Sequence, residues 1–342
     1  MLMRKHGEEE KMRQLLAVIF WLSISWTSSQ AAWAIERLIV GYGSIGGGMW
    51  PAIVAEKKGF FGKNGLEVTY IFIEGGTRAL TALISGDVRF LQVGGTEVIN
   101  AALGGADVVI VSSLVNTLSF DLIVTPDILR AADLKGKRLA ISRFGSTTDV
   151  GLQLALKKLG FNPKDVAFLQ IGSNPARLNA MLTGQVQGGL LNSDSHAPLA
   201  RKQGLRTLAS LPDLGIEFLQ LSTVTSRSYA RNHPQVVRQF LKAQVEAIAW
   251  LKDENHRQEA QQILASFLRN QDRELLDNMY DSLVRKVFRP APYATVGGAQ
   301  NILEQIALSN PKAKQARAED FIDVRMIKEF EESGFIKGLY QR

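Results

Sequence analysis

The sequence predicts an α/β protein of two lobes, each a mainly parallel sheet flanked by helices, followed by a C-terminal helical segment. Three observations predict it. The 342 residues are about twice the length of one ordinary domain. From residue 37 to residue 209, β-branched runs, glycine-rich turns and amphipathic runs alternate, the pattern of strands joined by crossover helices. The two halves of that stretch also echo each other. Arg37-Leu38-Ile39-Val40 aligns with Arg138-Leu139-Ala140-Ile141 at an offset of 101, and residues 80–88 (LTALISGDV) align with 178–186 (LNAMLTGQV) at an offset of 98.

Residues 37–42 read as a strand, and residues 43–48 (GSIGGG) as a wide turn. A helix begins near Pro51, whose fixed φ suits a first helical position, and stops at Gly59. Residues 66–73 are apolar on both faces, as expected of a central parallel strand. Gly75-Gly76-Thr77 opens a helix over 78–85, and Gly94-Gly95-Thr96 links a strand at 90–93 to a helix at 97–103. Strands at 108–114 and 120–124 complete the first set. The second set has strands at 138–142, 166–171, 188–192 and 205–209, with helices at 150–159, 175–183 and 195–203; Ser146, three residues before Asp149, is the expected cap of the first of these helices. Beyond residue 222 the pattern changes to helices at 233–253, 257–268, 272–284, 295–308 and 322–333, expected to pack as a cover.

Ahead of the first strand, residues 15–26 (LLAVIFWLSISW) follow Lys11 and Arg13 and precede Ala32-Trp33-Ala34. Basic start, short apolar core and small-x-small site are the signature of an export signal, and the run is too short to span a membrane. Cleavage after Ala34 leaves 308 residues and, with four basic and three acidic residues removed, a formal charge of +6 rather than +7. A hydrophobic share of 46% and a charged share of 21% exclude a disordered tail. The absence of cysteine excludes disulfides, thiolate metal centres, a cysteine nucleophile and a lipid-anchoring cysteine.

Gly41-Tyr42-Gly43-Ser44-Ile45-Gly46 fits G-x-G-x-x-G, yet the helix starts too late for a pyrophosphate to sit on its first turn. Asp194-Ser195-His196 holds the residue types of a hydrolase triad, but sequence neighbours do not point at one another in that geometry; a helix cap with a surface His is the reading. Four scattered His residues give no metal site, and no cofactor or nucleic-acid motif is present. What remains is a set of donor-rich turns at the carboxyl ends of the predicted strands, where open α/β sheets bind ligands. The candidate ligand-binding residues are Ser44, Gly48, Met49, Trp50, Gly76, Thr77, Gly95, Thr96, Ser146, Thr147, Asn174 and Asn192. Arg78, Arg143 and Arg177 lie near the turns as candidate anion clamps. For each Ser or Thr the competing role is helix capping, for each Arg solvated surface, and for Trp50 hinge or core packing.

Residues 51–61 (PAIVAEKKGFF), 64–68 (NGLEV), 82–88 (ALISGDV), 133–138 (DLKGKR) and His233-Pro234 resemble the periplasmic substrate-binding proteins of ABC importers for nitrate, taurine and aliphatic sulfonates, a family that also includes binders of thiamine-pyrimidine precursors. The resemblance covers roughly residues 36–255. It implies a type II periplasmic-binding-protein fold, the Venus flytrap. Lobe one would comprise 35–124 and 224–342, lobe two 125–223, with the ligand held between them. Ser44 to Trp50, Gly76-Thr77, Gly95-Thr96 and Ser146-Thr147 match the family's ligand loops. The family's usual Asp is replaced by Arg89 after Gly-Asp-Val and by Gln187 after Gly-Gln-Val. The iron-binding cysteine motif of the related pyrimidine synthases is missing.

The expected function is therefore capture of a small anionic ligand in the periplasm by a monomer, without cofactor, metal or catalysis, and delivery to an ABC permease. The alternatives are a cofactor-biosynthesis enzyme on the same fold, which would need titratable groups in the cleft, and a ligand-sensing subunit that docks to a receptor.

Overall fold

The structure, a computed structural model, describes residues 35–341; the expected export signal and its cleavage after Ala34 lie outside them. Among the described residues the strands run, in chain order, β1 (Glu36–Tyr42), β2 (Leu66–Phe72), β3 (Phe90–Val93), β4 (Val109–Thr117), β5 (Phe120–Val124), β6 (Arg138–Ile141), β7 (Ala167–Gln170), β8 (Gly188–Asn192), β9 (Arg206–Ser210) and β10 (Glu217–Thr225). They form two five-stranded sheets, ordered β2-β1-β3-β10-β4 and β7-β6-β8-β5-β9. Position by position β1 corresponds to β6 and β3 to β8. The echoing segments thus occupy equivalent strands and the equivalent helices Gly76–Ser85 and Asn174–Leu182.

Each sheet is mixed. β1 runs parallel to β2 and β3, and β6 to β7 and β8, but β10 is antiparallel to β3 and β4, as β5 is to β8 and β9. The cause is the route between the sheets. β4 ends where the carboxyl ends of β1 and β3 end, and only residues 118–119 separate it from β5. A link that short carries no crossover helix, so β5 enters the second sheet at its ligand edge and runs away from it. β10 repeats this on the return. The expected boundaries near 124 and 223 therefore differ from the observed crossings, which fall at 118–119 and in the short helix Leu211–Leu214 that precedes β10.

The strand expected to be central, 66–73, is the edge strand β2. Leu66, Val68 and Tyr70 turn inward, while Ile71 and Phe72 stay exposed, so the apolar run does not mark burial on both faces. The C-terminal helices Pro234–Lys252, Arg257–Leu268 and Arg273–Met279 cover the first sheet. Phe240 stacks on Phe90 with centroids 4.2 Å apart. The helix expected at 272–284 continues past Met279 as a π-helix, Tyr280–Val287, which brings Leu283 to the edge where the crossings lie. The helix expected from 322 begins at Arg325, because Ile322 bridges to Ile110 beside β4.

Candidate ligand-binding cleft

The carboxyl ends of β1, β3, β6 and β8, Ser119 of the first crossing, and Gln220 and Leu221 of β10 converge on one cavity of about 110 Å³. At roughly 10–15 Å³ per water-sized group, it holds about seven to eleven such groups, the size of a small organic molecule. Four polar side chains define its chemistry.

Arg177, in the first turn of the helix Asn174–Leu182, is 2% exposed and lines the cavity. Its Nε donates to the Leu190 carbonyl at 2.9 Å, Nη2 to Asn174 Oδ1 at 2.9 Å, and Nη1 to the Gly172 carbonyl. These bonds use three of its five N–H donors. No carboxylate among the described residues pairs with it. Burial pulls its pKa down to about 10, so it remains a cation at neutral pH. A buried cation without a counter-ion is costly, and a bound anion relieves that cost.

Gln92, at the end of β3, is fully buried and lines the same cavity. Neither its carboxamide oxygen nor its nitrogen has a protein partner. Such a group offers its donors and acceptor to whatever fills the space.

Glu97 and Asp194 bridge the two sheets. Glu97 Oε1 accepts from the Thr147 N–H at 3.0 Å and Oε2 from the Thr147 hydroxyl at 2.8 Å. Asp194 Oδ2 accepts from the Gly47 N–H at 3.0 Å, and Asn100 Nδ2 donates to the Gly145 carbonyl at 3.0 Å. Burial raises the Glu97 carboxyl, opposed by both Thr147 bonds. Burial lifts Asp194 to about 6, and its Oδ1 is buried without a partner. These bonds tie the ligand edges of the two sheets together across the cleft.

Of the sequence-derived candidates, Ser44, Gly48, Met49, Gly76, Thr147, Asn192 and Arg177 line the cavity. Several others do not. Trp50 is fully buried, donates Nε1–H to the Ala260 carbonyl at 3.0 Å and packs edge-on against Tyr280; it is core, not a ligand cover. Thr77 is exposed on the outer face of its helix. Gly95 lies beneath Leu219 and Ile302, and Thr96 is fully buried. The turn of about 100° per residue allows one side chain of that helix start to face the cleft, and it is Glu97. Ser146 caps the helix Thr147–Lys158, and its hydroxyl closes a ring with those of Ser142 and Thr148 at 2.9–3.0 Å. In that ring Ser142 and Thr148, not Ser146, reach the cavity. Asn174 orients Arg177 and accepts from the Asn192 N–H at 3.2 Å, while itself facing a neighbouring chamber. Arg78 and Arg143 do not line the cavity but an adjoining depression beside Glu74 and Gln170, which shares Gly75, Ser142 and Gly172 with it.

Sequence reasoning missed Glu97, Asp194, Gln92 and Gln220. The two glutamines did carry a signal, because each interrupts an apolar strand, Phe-Leu-Gln-Val in β3 and Phe-Leu-Gln-Leu in β10, at the level of the cleft. His196, expected at the surface, is half-buried, with Nδ1 3.0 Å from Ser195 Oγ.

Residues 48–258 match the family described as NMT1/THI5 like. The chain belongs to that family. This NMT1/THI5-like protein is 29% identical over 202 residues to the taurine-binding periplasmic protein of Escherichia coli (strain K12), a match over 58% of this chain and 62% of that one. The matched segment is thus under two thirds of that relative's length. The structure superposes on the alkanesulfonate-binding protein of Xanthomonas axonopodis pv. citri bound to MOPS, with a TM-score of 0.68 and 21% identity over 83% of this chain and 95% of that one. It also superposes on the periplasmic nitrate-binding protein of Synechocystis PCC 6803, with a TM-score of 0.70 and 14% identity over 87% and 89%. The two-lobed periplasmic-binding-protein fold is shared with both. The named relatives are binding proteins.

Proposed function

We propose that this protein is a periplasmic solute-binding protein, a monomer that captures a small organic anion between its lobes and delivers it to the permease of an ABC importer. The observation that carries this reading is the buried Arg177 guanidinium, which lacks a carboxylate partner and faces the inter-lobe cavity beside the unpartnered Gln92 amide. A sulfonate, carboxylate or nitrate-like head group fits the planar donor fork. Names of relatives that bind taurine, alkanesulfonate and nitrate support the same chemistry. Ligand contacts with both lobes favour the closed arrangement in which the Glu97–Thr147 and Asp194–Gly47 bonds form, with the crossings at 118–119 and 211–216 as hinges. Export and cleavage after Ala34 belong to this reading. Glu97, with both oxygens held by Thr147, is no free acid or base; a catalytic reading has the raised, half-partnered carboxyl of Asp194 to draw on, with no titratable side chain hydrogen-bonded to it.

Calorimetry of the purified protein against sulfonates, carboxylates, nitrate and pyrimidines tests the proposal. One anionic ligand is expected to bind with a Kd of micromolar order or tighter, about −8 kcal/mol. Silence across the whole panel, with no thermal shift from cell extract, overturns it.

The pH dependence has a definite sign. Asp194, near pKa 6, is mostly ionised at pH 8 and mostly protonated at pH 5. Its ionised form repels an anion in the same cavity, whereas its protonated form does not and adds an O–H donor. Affinity for a simple anion is therefore expected to rise several-fold between pH 8 and pH 5, and Asp194→Asn to flatten the profile. Titrations at pH 5, 6, 7 and 8 check it; a loss of affinity towards pH 5 points instead to a ligand carrying a cationic group against Asp194.

A further inference from the structure

The cavity adjoins a depression of about 340 Å³ at the rim of the cleft, and both lobes build it. Arg78 comes from the helix Gly76–Ser85 of the first lobe, whose first residue lines the cavity, and Arg143 follows β6 of the second, next to Ser142. Side chains from each lobe reach to the other. A β-carbon on Gly75 would meet Arg143 Nε at 3.6 Å, and one on Gly172 would meet Glu74 Oε1 at 3.4 Å. Gly75 and Gly172 line both spaces and stand at φ 83 and 104, the left-handed region that favours glycine, so at neither residue does a side chain stand between them. The Gly172 carbonyl also accepts from Arg177 Nη1, which puts the buried guanidinium one residue from the depression.

Arg78 is exposed and Arg143 half-buried, and among the described residues neither guanidinium has an ion-pair or hydrogen-bond partner. Glu74 is the one carboxylate in the lining, more than 4 Å from both, so two guanidiniums less one carboxylate leave the depression a net charge of +1. Gln170 Oε1 accepts from the Phe144 N–H at 2.8 Å, and its amide N–H donors stay uncommitted.

We infer that the ligand is a two-headed dianion, with one acid group on Arg177 in the cavity and the second between Arg78 and Arg143 in the adjoining depression. This rests on the reading of the cleft as an anion site and narrows it. Two guanidiniums lining one space repel each other, and an anion between them relieves that repulsion. Because the two arginines belong to different lobes, the second acid group adds a contact made only when the lobes are together. An ammonium in the same place meets like charge, so an aminosulfonate such as taurine is the weaker ligand.

Calorimetry on the whole protein compares 3-sulfopropanoate and glutarate, each against its own monoamide, with taurine and nitrate alongside. The amides keep the size and remove the second charge. At least one dianion is expected to bind fivefold or more above its monoamide and above taurine. At the strength of solvent-exposed ion pairs, Arg78→Gln and Arg143→Gln are each expected to lower that dianion-to-amide affinity ratio about two- to fivefold, and the double substitution about tenfold. Neither side chain bonds to the rest of the protein, and thermal melts report that the variants are folded. Dianions that bind no better than their monoamides in the wild type, or a ratio unchanged in the folded double variant, overturn the two-headed ligand while leaving the Arg177 site standing. Failure of every dianion and monoamide together with taurine and nitrate overturns the anion site itself.

Discussion

Arg177→Met is expected to weaken binding of every anionic ligand by about a hundredfold or more. Two N–H donors of the guanidinium remain uncommitted in the cavity, and a charge-assisted hydrogen bond contributes about 1.5–3 kcal/mol, so losing both removes roughly 3–6 kcal/mol. The substitution acts on the fold as well. The carbonyls of Gly172 and Leu190 each lose a donor, at about 1–3 kcal/mol per group left unsatisfied, while Asn174 Oδ1 keeps the Asn192 N–H; the cost is partly offset because an uncompensated buried cation disappears. Calorimetry paired with thermal melts separates the two effects. Arg177→Lys keeps the charge but not the fork, and is expected to recover only part of the affinity. Since Arg177 stays protonated up to about pH 10, its contribution is constant from pH 5 to 8, and the pH dependence over that range belongs to Asp194. Full affinity in a folded Arg177→Met protein would sink the assignment.

Gly94→Ala is expected to prevent closure and to cost at least a hundredfold in affinity, with little change in the stability of the ligand-free protein. Gly94 has φ −68 and ψ 148, extended backbone that alanine adopts without strain. The obstacle lies across the cleft. A β-carbon at this position overlaps Thr147 Oγ1 and comes within 3.0 Å of Thr147 Cβ, and it also lies 2.6 Å from Glu97 Oε2. Glu97 can swing aside, but Thr147 is fixed on the opposing lobe at the start of the helix Thr147–Lys158, so the lobes must separate. Small-angle scattering should show no compaction on adding ligand, and Gly94→Ala with Thr147→Ala should regain part of it. A Gly94→Ala protein that binds and compacts like wild type shows that closure does not depend on this approach.

Much of this molecule is legible in its amino-acid sequence. The alternation of β-branched runs, glycine stops and amphipathic runs is a local property, set by backbone sterics and side-chain periodicity, and it locates most strands and helices within a few residues. The echo between residues 80–88 and 178–186 corresponds to equivalent helices on two equivalent sheets. The turns at the strands' carboxyl ends, Ser44 to Met49, Gly76 and Thr147 among them, follow from the same local reading. Direction and facing are not local. The antiparallel entry of β5 and β10 depends on where the chain leaves the other sheet, and the exposure of Phe72 depends on no further strand covering β2.

The division is sharpest among three arginines. In sequence Arg78, Arg143 and Arg177 stand alike beside glycine or serine turns, and nothing in composition or spacing ranks them. The fold buries only Arg177, against three carbonyl oxygens and without a carboxylate, while Arg78 and Arg143 line a surface depression where water screens them. Periodicity determined which segments became strands and helices. Burial, counter-charge and the meeting of Thr147 with Glu97 across fifty residues were decided by the tertiary structure, because the energy of a charge is set by what surrounds it in space.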